Sequence, residues 1–335
     1  MDETNSHRSM ETGIGLADRS DRVRIEVSGP DRAKFLHNLT TNEVKRLAVG
    51  RGCEAFVTST QGKTIGYVII LAAEDRILVR SDPGGMELAL PHLRKYGIFD
   101  DVAIEDRTAA TFELHLAGAG ADEAVRQAGG QVPEPVEYAH SPAELAGCAV
   151  RVVRESPTGL PGLTLIGERQ DAAAVGEALR AAGQPSGLTD LDPTAFESLR
   201  IEAGTPVFGK DVTEKNLPQE IGRDARAISF VKGCYLGQET VARIDALGHV
   251  NQVLKGLIFE PRSSCPSPGS PLESDGKRVG VITSAAASPA RGCPLALALI
   301  RTSHATAGTP LQLEIAPGTE AITATVSDLP FPWWP

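Results

Sequence analysis

The sequence predicts an α+β protein made of two α+β lobes followed by an all-β unit, and three observations predict it. The chain has 335 residues, more than the roughly 100–200 residues usual for one domain, so two or three packed units are expected. Strand-like alternation and helical spacing interleave up to about residue 204, and the pattern restarts at Thr111. After Asn251 only short apolar stretches remain, separated by Pro-, Gly- and Ser-rich segments. That rhythm is the one of a small antiparallel β-barrel or sandwich. The expected boundaries are 12–110, 111–250 and 251–330.

In the first lobe, RVRIEV (Arg22–Val27) alternates as a half-buried strand, and Ser28-Gly29-Pro30-Asp31 supplies turn and N-cap chemistry for a helix. DRAKFLHNLTTNEVKRL (Asp31–Leu47) follows as an amphipathic helix and its exit. Strands are expected at Glu54–Thr58, Thr64–Leu71 and Arg76–Arg80, broken by the turn signals TQGK and EDR. Pro83–Tyr96 has helical spacing, with Met86, Leu88, Leu90 and Leu93 on or near one face, and Val102–Glu105 reads as another strand. In the second lobe FELHLAG is a strand, ADEAVRQAGG a short helix, and AVRVV and LTLIG are strands around ESPTGLPG. Helices at Asp171–Ala182 and over PTAFESLRIEAG stop at Gly183 and Gly204. Pro206–Ser229 has no periodic pattern, and a loop of that length inside a domain points to function or partial disorder. VLKGLIF, RVGVIT, LALALI and LQLEI are the strands of the last unit. Trp333 and Trp334 lie in a Pro-rich tail, read as docked on the barrel.

Hydrophobic residues make up 41% and charged residues 23% of the chain, which suits a globular protein with a full core. The formal net charge of -10 argues against a broad nucleic-acid or anionic-membrane surface, since both need clustered Lys and Arg. No apolar run approaches the roughly 18 residues of a membrane-spanning helix. The first twenty residues have acids and no apolar h-region, so a cytoplasmic protein is expected. Five scattered cysteines (Cys53, Cys148, Cys234, Cys265, Cys293) fit reduced thiols rather than a disulfide framework. The seven histidines show no HxH or HExxH spacing, so no metal site is expected.

The least average stretch is Lys232-Gly233-Cys234-Tyr235-Leu236-Gly237-Gln238-Glu239, which places a thiol between glycines with Lys232 nearby and Arg243 nine residues on. GQETVARI can open a helix and bring backbone N–H groups toward Cys234, which would lower a thiol pKa and make it a nucleophile or a metal ligand. A buried structural cysteine is the alternative. A Cys234–His249 pair is a further arrangement that only spatial proximity would decide.

KGCYLGQETVAR resembles the K-G-C-Y-x-G-Q-E signature of the YgfZ-like branch of the glycine-cleavage T-protein family. RIEVSGPDRAKFLHNLTTNEV, the turn at Gly62-Lys63, LRIEAGTPVFGKD and a β C-terminus follow the family's order, so the resemblance covers nearly the whole chain. It implies a ring of two α+β lobes and a C-terminal antiparallel β-barrel around a central tetrahydrofolate pocket. It also implies Glu202 as the pterin-binding glutamate and Cys234 as the catalytic thiol. Arg200, Lys232 and Arg243 become candidates for the folate tail or for thiolate stabilisation, and Gly233, Tyr235, Gly237, Gln238 and Glu239 folate-binding candidates. One departure matters: where T-proteins carry a catalytic aspartate in G-x-x-x-D-D, this sequence reads GKTIGY (Gly62–Tyr67). Asp100 and Asp101 lie one element too late and read as turn residues. The implied role is therefore a folate-binding accessory protein of iron–sulfur cluster assembly or repair. Its effect on tRNA modification would be indirect, without direct tRNA binding, and its partners would be iron–sulfur assembly or client proteins. A monomer is the implied state. The alternative is a folate-dependent one-carbon (aminomethyl) transferase.

Overall fold

A computed structural model describes residues 13–248, 250–261, 263–313 and 322–332. Trp333 and Trp334, expected to dock on the barrel, and His249 of the Cys234–His249 pair lie outside the described residues.

The first lobe is a five-stranded antiparallel sheet. Its strands are β2 (Val23–Ser28), β3 (Arg51–Thr58), β4 (Thr64–Ala72), β5 (Arg76–Ser81) and β6 (Ala103–Asp106), in the order β3-β4-β5-β2-β6. Helices α1 (Arg32–Leu39) and α2 (Ala89–Tyr96) complete it. Both helices are shorter than their spacing predicts. α1 stops where the β-branched Thr40 turns extended, at φ -127° and ψ 158°. Pro83–Leu88 forms turns because Pro83-Gly84-Gly85 cannot hold a helical turn, and Leu88 is exposed rather than packed.

The second sheet contains a strand the sequence pattern did not announce. β1 (Ile14–Asp18) lies in the span expected for the first lobe, yet it pairs antiparallel with β7 (Thr111–Ala117) and parallel with β11 (Leu188–Asp190). A chain cut near residue 110 therefore does not separate the lobes. β8 (His140–Leu145), β9 (Cys148–Arg154) and β10 (Gly162–Glu168) complete the order β11-β1-β7-β10-β9-β8. α3 (Ala121–Gln127) and α4 (Ala172–Gly183) pack their apolar faces on it, with Val125, Val175 and Leu179 fully buried. α5 (Pro193–Glu202) starts where Asp192 accepts from the amides of Thr194 and Ala195, with Pro193 in the first turn.

The region after α5 is not the featureless loop its composition suggests. It holds a 3₁₀ turn at Pro218–Ile221 and the short α6 (Asp224–Ala227), and it ends in α7 (Gln238–Leu247). The C-terminal unit closes into a six-stranded barrel, which decides between barrel and sandwich. β12 (Gln252–Phe259), β13 (Pro271–Ser274), β14 (Lys277–Ser288), β15 (Cys293–Arg301), β16 (Pro310–Leu313) and β17 (Ile322–Ser327) follow one another as β12-β15-β14-β13-β16-β17. No helix among the described residues is long and apolar enough to cross a membrane.

Candidate functional site

The three units meet around a cavity of about 290 Å³. The first lobe supplies Glu54, Tyr67 and Asp82, the β1–β2 connection Arg19 and Arg22, the second lobe Glu155 and Phe196, and the segments after α5 supply Gly204–Val207, Arg223 and Arg226. Leu329 and Pro330, beyond the barrel, close one side. A second cavity of about 1110 Å³ shares Arg19, Asp82, Phe196, Arg200 and Val207 with the first.

Helical spacing puts Phe196 and Arg200 of α5, and its C-cap Ala203, on the face toward the smaller cavity. Arg19 stacks over Phe196, 4.0 Å from the ring centroid, a cation–π contact that orients both groups. The opposite wall is built on β3 and β4. Phe56 pairs with Tyr67 across the two strands, so Glu54, two residues earlier on β3, projects on the same face as Tyr67. The hydroxyl of Tyr67 donates to Glu54 Oε2, that of Tyr138 to Oε1 at 2.8 Å, and Arg226 Nε lies 2.6 Å from Oε1. Burial opposes the charge on Glu54, but Arg223, Arg226 and the two phenols outweigh it and hold this carboxyl below its ordinary value. Burial, followed by the same carboxylate, pushes both tyrosines well above theirs. The cluster is thus an ionised acceptor with two neutral phenols at neutral pH.

A buried ion network forms the floor. Arg80 is fully buried and reaches Glu113 (2.7 Å) and Glu155 (2.9 Å) with paired contacts to each. Arg22 adds a bond to Glu113 at 3.2 Å. Since β5 carries Arg80 while Glu113 is on β7 and Glu155 directly follows β9 of the other sheet, the network joins the lobes beneath the cavity.

The residues expected to form the site are distributed differently. Arg200 lines both cavities, but its guanidinium is taken up by Asp211 (2.6 Å), Glu197 and Ser284 of β14. It ties α5 to the barrel rather than standing free for a folate tail. Glu202 is buried at the end of α5, one residue before the cavity-lining Ala203. Lys232, Gly233, Cys234, Tyr235, Gly237, Gln238, Glu239 and Arg243 line neither cavity. Lys232 is buried and donates to the carbonyls of His37 (2.5 Å), Thr40 (2.6 Å) and Asn42 (2.8 Å). It therefore caps the C-terminal end of α1, where unsatisfied carbonyls and the helix dipole favour a cation. Burial pushes its pKa down to about 8, so the ammonium is still the main form at neutral pH.

The neighbouring signature residues serve the same docking. Tyr235 is buried with Phe56 and Tyr67, and the Leu236 carbonyl accepts from Thr58 Oγ1 at 2.6 Å. Gly237 has φ +84°, and a Cβ there would lie 2.5 Å from the Ser59 carbonyl oxygen, so only glycine lets α7 begin against the β3–β4 turn. Gln238 opens α7, and Glu239 and Arg243 are on its exposed side. Cys234 is exposed, which removes the buried-thiol alternative. Lys232→Met should lower stability by about 1–3 kcal/mol through three carbonyls left without their donor. A chemical denaturation midpoint that does not move would contradict this capping role.

Asp100 and Asp101 are bend residues, as expected: Asp100 faces Lys34 at 3.2 Å, and the Asp101 amide donates to Asp31. At the place of the missing acid, Gly66-Tyr67, the structure offers the phenol of Tyr67 bonded to Glu54. Glu54, Tyr67, Tyr138, Arg223 and Arg226 are the cavity residues that sequence reasoning missed. The one available signal was Glu54 itself, a lone acid in the otherwise apolar strand EAFVT.

Comparison with known proteins bears on this geometry. A family model described as the GCVT N-terminal domain matches residues 3–232, and one described as the glycine cleavage T-protein C-terminal barrel domain matches residues 253–332. The chain belongs to the glycine cleavage T-protein family. Among its relatives, an aminomethyltransferase of Streptomyces avermitilis is 29% identical over 313 residues, covering 92% of this chain and 83% of the relative. An aminomethyltransferase of Symbiobacterium thermophilum is 28% identical over 335 residues, covering 97% and 88%. The crystal structure of glycine cleavage system aminomethyltransferase T from Bartonella henselae superposes with a TM-score of 0.88 at 21% identity, covering 98% of this chain and 89% of that one. This T-protein-family member thus has the family's two sheets and barrel, with Tyr67 and Glu54 facing its central cavity.

Proposed function

We propose that the central cavity binds tetrahydrofolate, and that the protein is a folate-binding member of the YgfZ-like branch rather than an ordinary aminomethyltransferase. The observation that carries this is the cavity itself, at the junction of all three units. Phe196, Tyr67 and Tyr138 offer flat walls, and Glu54, Arg223 and Arg226 offer an acceptor and cations. A pterin needs such walls and polar groups placed to read its edge. Glu202 retains the pterin role implied by the LRIEAG resemblance. Aminomethyl transfer also needs a group that moves a proton at the reacting nitrogen, and the aspartate expected for it is replaced by Gly66-Tyr67. Glu54 is a poor substitute base, because its charge is stabilised by Arg223, Arg226 and two phenols.

The resemblance of KGCYLGQE extends the proposal to iron–sulfur cluster assembly or repair in the cytoplasm, with the exposed Cys234 meeting protein partners and tRNA modification affected only indirectly. Calorimetric titration with tetrahydrofolate should show saturable binding that is lost in Glu202→Ala and kept in Cys234→Ala. Absence of binding by the wild type would overturn the folate reading. Unchanged cluster-enzyme activity in a null strain carrying Cys234→Ala would overturn the role of the thiol. The relatives named aminomethyltransferase favour a second reading, one-carbon transfer to folate. Release of methylene-tetrahydrofolate from a panel of methylated amines would support it, and no turnover across the panel would count against it.

A further inference from the structure

We propose that Arg223 is the carboxylate-recognition residue of the central cavity, taking an anionic group of the bound ligand on its guanidinium. The proposal rests on the folate reading above and adds to it the place where the ligand's negative charge is held. Five arginines line the smaller cavity: Arg19, Arg22, Arg200, Arg223 and Arg226. Four of them are engaged by the protein. Arg19 faces Asp82 at 3.5 Å and stacks on Phe196. Arg22 is held by Glu113 and Asp82, and Arg200 by Asp211 and Glu197. Arg226 is held by Glu54 and Glu137.

The guanidinium of Arg223 makes no hydrogen bond or ion pair with the described residues, although the residue is half-buried in the cavity wall. Glu54 is the carboxylate whose charge acts on it, but the two carboxylate oxygens already receive Tyr67, Tyr138 and Arg226. Glu54 thus acts as a positioning residue: by holding Arg226, it leaves Arg223 as the cation with its donors open. A guanidinium presents five N–H donors in a planar fork that matches a carboxylate. The larger cavity is a poor place for the same anion, because Asp18, Asp21, Asp190 and Asp192 stand in its wall. The charge pattern therefore directs a carboxylate toward Arg223.

Two sources could supply that carboxylate, the glutamate tail of a folate or a small amino-acid donor of the one-carbon unit. Calorimetry on the full chain separates them, with tetrahydrofolate, tail-less 6-methyltetrahydropterin, glutarate and N-methylglycine as probes and with wild type, Arg223→Gln and Arg223→Lys compared. If the tail is bound, Arg223→Gln should weaken tetrahydrofolate and glutarate by at least about 10-fold and leave the tail-less pterin unchanged. If the donor is bound, the loss should appear with N-methylglycine instead. Arg223→Lys should recover part of the affinity, since it restores charge without the fork, and equal thermal midpoints would show that both variants fold. Identical affinities of wild type and Arg223→Gln for every carboxylate probe would overturn the proposal. If tetrahydrofolate and the pterin both fail to bind the wild type, the folate reading fails, and glutarate and N-methylglycine decide this proposal on their own. A wild type that binds none of the four probes overturns both.

Discussion

Arg80→Met is expected to cost about 3–5 kcal/mol of folding stability, the usual penalty for leaving a buried charge without its partner. Arg80 is fully buried and holds Glu113 and Glu155, which are themselves buried. With it gone, Arg22 and Arg24 are the cations left beside Glu113, at 3.2 and 3.8 Å, and Glu155 keeps the Thr164 hydroxyl but, as a cation, only Arg22 at 3.8 Å. The loss should show as a lower denaturant midpoint with an unchanged slope. Adding Glu113→Gln and Glu155→Gln to the same chain should return part of the lost stability, because the desolvation penalty disappears with the charges. A midpoint within about 1 kcal/mol of wild type for the single variant would show that the lobes do not depend on this network. Arg22 and Glu155 also line the cavity, so loosening the floor should weaken ligand binding in parallel.

The ion network also shows where sequence reading stops. FELHLAG alternates apolar and polar residues, and such a strand reads as one face in the core and one in water. Every residue of β7 is in fact buried, because the face bearing Glu113 and His115 packs toward the first lobe. Nothing local announces this: Arg80 lies 33 residues before Glu113 and 75 before Glu155. The barrel was legible because each strand needs only its own alternation and the turns beside it. β1 was not, since a five-residue strand whose partners are Thr111–Ala117 and Leu188–Asp190 has no local partner to give it away.

The candidate site was legible in part, and for a related reason. KGCYLGQE was correctly singled out as unusual, but its composition serves several physical ends at once. Lys232 caps α1, Gly237 permits a close approach to the β3–β4 turn, and Tyr235 packs between lobe and barrel. Together these pin the segment that carries Arg223 and Arg226 against the cavity. The signature is thus tied to the cavity through backbone placement, while the side chains facing the ligand come from segments scattered between Arg19 and Pro330. No spacing rule joins those residues, whereas Phe196 and Arg200 were at least predictable as neighbours on one face of α5.

Stability should also fall steeply as pH drops from about 6.5 toward 4, before most carboxylates titrate. Burial first, and neighbouring arginines after it, push both His115 and His140 down to about 4. The hydrogen bonds explain why each ring stays neutral. Thr164 gives its hydroxyl proton to Glu155 and so receives one from His115 Nδ1, at 2.8 Å, while Nε2 is buried without a partner among the described residues. His140 Nδ1 accepts from Arg151 at 2.8 Å, and its Nε2 faces the Arg51 carbonyl. The unfolded chain protonates both rings near their ordinary value of about 6.5, so between these limits the unfolded state binds more protons and stability rises with pH. Near pH 5 the two rings supply almost two protons to the slope and the Asp224 carboxyl, pushed up to about 6 by burial, takes back about one, leaving about 1.3 kcal/mol per pH unit. The rings' share vanishes above about pH 7.5, where Lys232, held down to about 8, begins to add its own rise. Below pH 4 the loss continues, because Glu113 and Glu155 are also held below their ordinary values and their stabilisation disappears as they protonate. Denaturant melts at half-unit steps of pH measure this slope directly, and His115→Asn should remove about one proton from it whatever its effect on stability at neutral pH. Stability that is flat from pH 6.5 to 5 would mean that these rings accept protons in the folded state, and that the lobe interface around Glu155 admits water.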